Sequence, residues 1–193
     1  MRSPIRSADL TQGVHDRRSA HLRLFSLILC ALLGALTFAL KVAMATLPNI
    51  EPVTLMLILC ALVFGWRAMA TTAVYVLLEG LVFGFSTWWI PYLYVWPLLV
   101  VLTMVFRKRQ NRFFWASFAA VFGFLYGFLF LPVNYFVYDM ANNPGALLTY
   151  IANDIPFDTI HAVSNFVTVL VLLPPLRRVL QAMTDKIRGT KRA

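Results

Sequence analysis

The sequence predicts an all-α membrane protein, a six-transmembrane-helix bundle with both termini cytoplasmic, on the strength of its composition, the spacing of its polar breaks and the placement of its basic residues. Of 193 residues, 60% are hydrophobic and 13% charged, with a mean hydropathy of +0.74; soluble domains carry roughly 25% charged residues. A bilayer core about 30 Å thick takes roughly 20 apolar residues per helix, and six such helices fill the chain with short loops between them. Residues 1–20 and 182–193 are basic tails, and residues 21–181 form the membrane domain.

The first helix is expected over about residues 22–47. Its apolar run is longer than the h-region of a secretory signal and carries Lys41 just before Ala43-Met44-Ala45, so a retained helix fits better than a cleaved leader. The second starts at Pro52, where a first-turn proline gives up an N–H that has no helical partner, and ends near Gly65. The third spans about 68–85 and the fourth about 89–106, joined by Ser86, Thr87 and Trp88. The fifth covers about 113–135, with a kink expected at Pro132. The sixth is expected over about 156–173, ended or kinked by Pro174 and Pro175, with 147–151 lying at the interface.

On this division every Lys and Arg except Lys41 falls on one side of the membrane, while Glu51, Asp139 and Asp154 fall on the other. Positive residues stay on the cytoplasmic side, so both ends are expected inside a bacterial plasma membrane. The same placement explains the net charge of +9 without nucleic acid, because the basic residues flank apolar runs instead of forming a soluble basic domain. Cys30 and Cys60 lie within apolar runs and read as small hydrophobes.

Ionisable groups within spans cost about 2.5–3.5 kcal/mol at a helix centre and call for partners or a wet cavity. Asp154, Asp158, His161 and Asn165 recur at spacings of four, three and four, a stripe about 60° wide on one helix face. Such a stripe faces protein or ligand. Asp154 also stands where it can cap the sixth helix, and the deeper three fit either a ligand cavity or an interhelical hydrogen-bond network. Glu79 needs a donor, for which Lys41, Arg67 and His161 are available, although Lys41 can instead snorkel outward. Trp88, Trp89, Tyr92, Tyr94 and Trp96 crowd the outer end of the third and fourth helices, as an interfacial belt or as rings for a flat ligand.

Small residues mark packing seams: Ala31, Ala35 and Ala39 with Gly34 on the first helix, Gly80 and Gly84 on the third, and Ala119, Gly123 and Gly127 on the fifth. The sequence has no GxxxxGK[ST] loop, HExxH, CxxC or GxSxG, so no catalysis and no cofactor are expected. Asp158 and His161 alone are too few for a metal site.

The segment Leu47-Pro48-Asn49-Ile50-Glu51-Pro52-Val53-Thr54 after an alanine-ridged first helix resembles the substrate-specific S components of energy-coupling factor (ECF) transporters. Leu78-Glu79-Gly80, Trp88-Trp89, Tyr92 to Trp96, and Ile155-Pro156-Phe157-Asp158 with His161 and Asn165 extend the resemblance over about residues 22–180. It implies a subunit that binds a vitamin or related micronutrient near the outer side and docks on a transmembrane coupling protein carrying two cytosolic ATPases. By the same resemblance Ala31, Ala35 and Ala39 contact the coupling protein, and the loop bearing Asn49 and Glu51 closes the pocket. Glu79, Trp88, Trp89, Tyr92, Trp96, Asp154, Asp158, His161 and Asn165 are the other expected binding residues. Two alternatives stand beside it: an intramembrane enzyme using Glu79, Asp158 and His161 for acid–base chemistry, and a non-transporting interaction subunit.

Overall fold

A computed structural model describes residues 7–47 and 50–188, with side chains described for 20–47, 50–143 and 145–186. Among these the regular elements are all helical: α1 (Ser7–Ala43), α2 (Val53–Phe64), α3 (Ala68–Phe83), α4 (Tyr92–Phe106), α5 (Arg112–Phe124), α6 (Tyr126–Val137) and α7 (Pro144–Arg188), with 3-10 turns at Gly65–Arg67 and Thr87–Trp89. Five stretches are long and apolar enough to cross a membrane: Ala20–Ala43, Val53–Phe83, Thr87–Phe106, Arg112–Val137 and Gly145–Lys186.

The expected second and third helices together make one of those five stretches, broken at Gly65. Gly65 has φ 66° and ψ −138°, backbone that glycine adopts without the penalty a Cβ brings. At 1.5 Å per residue the 12 residues of α2 span about 18 Å, short of the hydrocarbon core. α2 is apolar all round and buried nearly all round, as a helix at the centre of a bundle must be.

Contacts set the directions of the helices. Gly34 packs against Thr71 and Val74, and further along Lys41 pairs with Glu79, so α1 and α3 run the same way. α2 lies between them in the chain and returns from the Lys41 level to the Arg67 level. Down the other flank, Ala119 meets Asn165, Gly123 meets His161, Gly127 meets Asp154 and Asp158, and Asn134 meets Tyr150, so α5 and α6 run antiparallel to α7.

Three expectations change. The fifth helix breaks at Leu125, not at Pro132, which lies inside α6. The Asp158 carboxylate takes the Gly127 N–H at 3.1 and 3.2 Å, satisfying a backbone donor that the break releases, and the Tyr150 hydroxyl donates to the Gly127 carbonyl from the same helix, α7. The sixth helix is far longer than expected, running without interruption through Pro156, Pro174 and Pro175. Each proline forfeits one hydrogen bond, a loss that neighbouring helices accommodate in a bundle. Asp154 therefore sits inside α7, not at its N-cap. Gly84 does not form a seam with Gly80, because it ends α3 at φ 88° with open space around it.

Packing here works against lipid, not water, so close contact and hydrogen bonds hold the helices together. A Cβ on Gly34 would stand 2.5 Å from the Thr71 carbonyl oxygen, and one on Gly123 would stand 2.7 Å from Asn165 Nδ2. Leu32, Leu36, Leu81, Val105, Val121, Phe128, Val163 and Val171 face outward and give the bundle an apolar exterior suited to lipid.

Candidate functional site

α1, α3, α4, the α5–α6 junction and α7 bring a polar and aromatic centre together, with the loop before α2 at its edge. Glu79 is 1% exposed and accepts a 2.8 Å hydrogen bond from Lys41 Nζ. The ammonium also donates to the Tyr92 hydroxyl at 3.2 Å and lies 5.3 Å from the Tyr92 ring centre and 6.0 Å from that of Tyr75. Lys41 thus turns inward as the partner of Glu79. Glu51 projects from the loop with its carboxylate 3.8 Å from His161 Nε2, within ion-pair reach and too long for a hydrogen bond. Burial pushes the Glu51 carboxyl up to about 7, opposed by the Lys41 charge and assisted by that of Glu79.

Trp96 is the hub of the rings. It meets Tyr75 edge-on at 5.8 Å and packs on Tyr92, Phe122 and Tyr126. Tyr126 in turn meets the His161 ring at 5.0 Å. A continuous line of contacts therefore joins Glu79 and Lys41 to His161. Beside it, Asn165 donates to Thr54 Oγ1 and to the Ala119 carbonyl, both at 3.3 Å.

Five buried polar atoms along this line have no hydrogen-bond partner among the described residues: Glu79 Oε1, Tyr75 Oη, Trp96 Nε1, His161 Nε2 and Asn165 Oδ1. Leaving a buried polar group unsatisfied costs about 1–3 kcal/mol, and several together in one place mark where a polar molecule can bind. They comprise a donor, two acceptors and two groups able to play either part. At the mouth, Lys41, Glu79, Trp88, Tyr92 and Phe83 line a cavity of about 290 Å³.

Among the described residues, the expected ones divide into three groups. Glu51, Glu79, Trp88, Tyr92, Trp96, His161 and Asn165 belong to the centre or its mouth. Trp89 instead donates to the Val76 carbonyl at 2.8 Å and pins the 3-10 turn onto α3. Asp154 and Asp158 share the face of α7 that carries His161 and Asn165, but both lie against Gly127, where Asp158 serves the α5–α6 break. Asn49 lies outside the described residues.

Tyr75 and Tyr126 join the site without having been expected. Tyr75 precedes Glu79 by four residues, so the helical period places both on one face of α3, a signal the sequence carries. Tyr126 follows the break at Leu125, which no local residue marks. No protein-family model, no curated protein and no solved structure matches the chain.

Proposed function

We propose that the chain is the substrate-binding membrane subunit of an ECF-type importer, a non-catalytic protein that captures a vitamin-like micronutrient outside a bacterial plasma membrane. The observation that carries this reading is the set of unmatched polar atoms lodged among the rings of Tyr75, Tyr92, Trp96 and Tyr126. Such a site suits a flat heterocycle with hydrogen-bonding groups on its edge, held between aromatic faces. A polyanion would bring charge that one lysine, already paired with Glu79, does not meet.

In this reading α2 counts as a short sixth span and both termini are cytoplasmic. The common direction of α1 and α3 supports that count, and the basic residues support the orientation. The small molecule passes to a transmembrane coupling protein driven by two cytosolic ATPases, with Ala31, Ala35 and Ala39 as the docking ridge. Ala31 and Ala35 are half-buried and Ala39 is exposed on the outer helix α1, beside outward-facing Leu32 and Leu36. Acid–base catalysis has weaker support, because Glu79 is paired with Lys41 and Asp158 is bound to a backbone N–H.

Mass spectrometry of small molecules released from the purified chain tests the reading, followed by copurification with a coupling protein and its ATPases. A retained heterocycle and a stable complex are expected. A chain that converts the compound it retains, or that binds neither ligand nor coupling protein, would overturn it.

A further inference from the structure

The far end of the bundle carries a second concavity, remote from the aromatic centre. A cavity of about 600 Å³ opens between the α4–α5 loop and the last third of α7, lined by Gln110, Arg112, Arg177, Arg178 and Gln181 above a floor that includes Trp115 and Leu173. Three guanidinium groups share it, and among the described residues that line it there is no carboxylate. Hydrogen bonds tie its walls: Arg177 Nη1 donates to Gln110 Oε1 at 3.1 Å across the two elements, Trp115 Nε1 donates to the Arg109 carbonyl at 3.0 Å, and Asn111 caps the start of α5 through the Phe113 N–H at 2.8 Å.

We propose that this cavity binds the phosphodiester headgroup of an anionic phospholipid. Arginine presents planar paired donors that fit phosphate oxygens, and the partly positive N-terminal end of α5 adds to them. The inference rests on the membrane character of the chain and not on its being a transporter subunit.

Position distinguishes a lipid from a soluble phosphate. Arg112 begins one membrane-length apolar stretch and Gln110 lies in the loop before it; Leu172, Leu176 and Val179 are exposed elsewhere on the same part of α7, and Leu173, Pro174 and Trp115 line the cavity. The basic groups therefore stand where an apolar stretch gives way to loop, the level of the phosphate plane, with exposed apolar side chains of α7 nearby for acyl chains. A zwitterionic choline lipid would bring a cation into a site that already holds three.

The test uses the full chain in nanodiscs or detergent, with native mass spectrometry counting retained phosphatidylglycerol against phosphatidylcholine. Each basic residue near the headgroup plane contributes about 1 kcal/mol, so R177Q/R178Q should weaken retention of phosphatidylglycerol about 30-fold. R107Q/K108Q removes the same charge from exposed loop residues outside the cavity and should change retention less than threefold. Should either arginine variant misfold, R112K and R177K/R178K keep the charge while removing the planar fork, and each should lower retention measurably. Equal loss in the cavity and loop pairs, equal retention of both lipids, or displacement of the lipid by millimolar inorganic phosphate would each overturn the assignment.

Discussion

Lys41 Nζ stands 2.8 Å from Glu79 Oε2, tying the last turn of α1 to the middle of α3. The pair is unequal: the Lys41 side chain keeps 22% of its exposure and Glu79 only 1%. Removing the lysine strands a buried carboxylate, whereas removing the carboxylate leaves an ammonium that can swing toward water. Lys41→Met should therefore destabilise the bundle by about 3–5 kcal/mol and Glu79→Gln by clearly less. Lys41→Met/Glu79→Gln should recover much of the loss. Thermal unfolding in detergent checks the order, and equal single-variant losses would show that the pair is screened.

Glu51 makes the protein sensitive to pH. Its folded carboxyl titrates near 7, above the unfolded value of about 4.3, so the folded state holds the proton more tightly. Stability is then greatest below the unfolded value, declines as pH rises between the two, and is lower by up to about 4 kcal/mol above pH 7. Glu51→Gln should flatten that decline. Melting temperatures at pH 5, 6, 7 and 8 read it directly, and an unchanged slope in the variant would assign the dependence to another group.

The break at Leu125 rests on Asp158. Asp158→Ala leaves the Gly127 N–H without its acceptor and should cost about 1–3 kcal/mol, while Asp158→Asn keeps an acceptor oxygen and should cost less than half as much. Gly127→Ala should also destabilise, since its Cβ would come within 2.6 Å of Asp154 Oδ2. Denaturation midpoints in detergent separate the three.

These relationships show what a single chain discloses. Membrane character and helical class followed from hydropathy, and Glu79, His161 and Asn165 stood out because a polar residue in an apolar run is conspicuous. The helix break escaped because its cause is a carboxylate 31 residues away, while Pro132, the local signal, sits in unbroken helix. Pro156 misled in the same way, suggesting a helix start that packing overrides. Tyr92 and Trp96 could be named but not oriented, since a lipid belt and a pocket wall draw on the same residues.

Docking through the α1 ridge gives a prediction separate from ligand capture. Ala35→Leu and Ala39→Leu enlarge an outward strip without entering the α1–α3 contact at Gly34 and Thr71. Both should leave stability and ligand retention unchanged and weaken copurification with the coupling protein. Ala35→Leu that loses ligand but keeps assembly would assign the ridge to internal packing.

Tyr75 separates a binding role from a structural one. Its ring is fully buried against Trp96 and Tyr92, and its hydroxyl has no hydrogen-bond partner among the described residues. Tyr75→Phe keeps the ring and deletes only that hydroxyl. In the empty protein nothing is lost, and stability should hold or rise by about 1 kcal/mol because an unsatisfied polar group has gone. In the loaded protein the ligand loses a partner in a dry site, which should weaken retention roughly 5- to 150-fold. Calorimetric titration with the released compound, alongside melting of the empty protein, reads both effects. Unchanged affinity would remove Tyr75 from the site, and a fall in the stability of the empty protein would show that the hydroxyl has a structural partner.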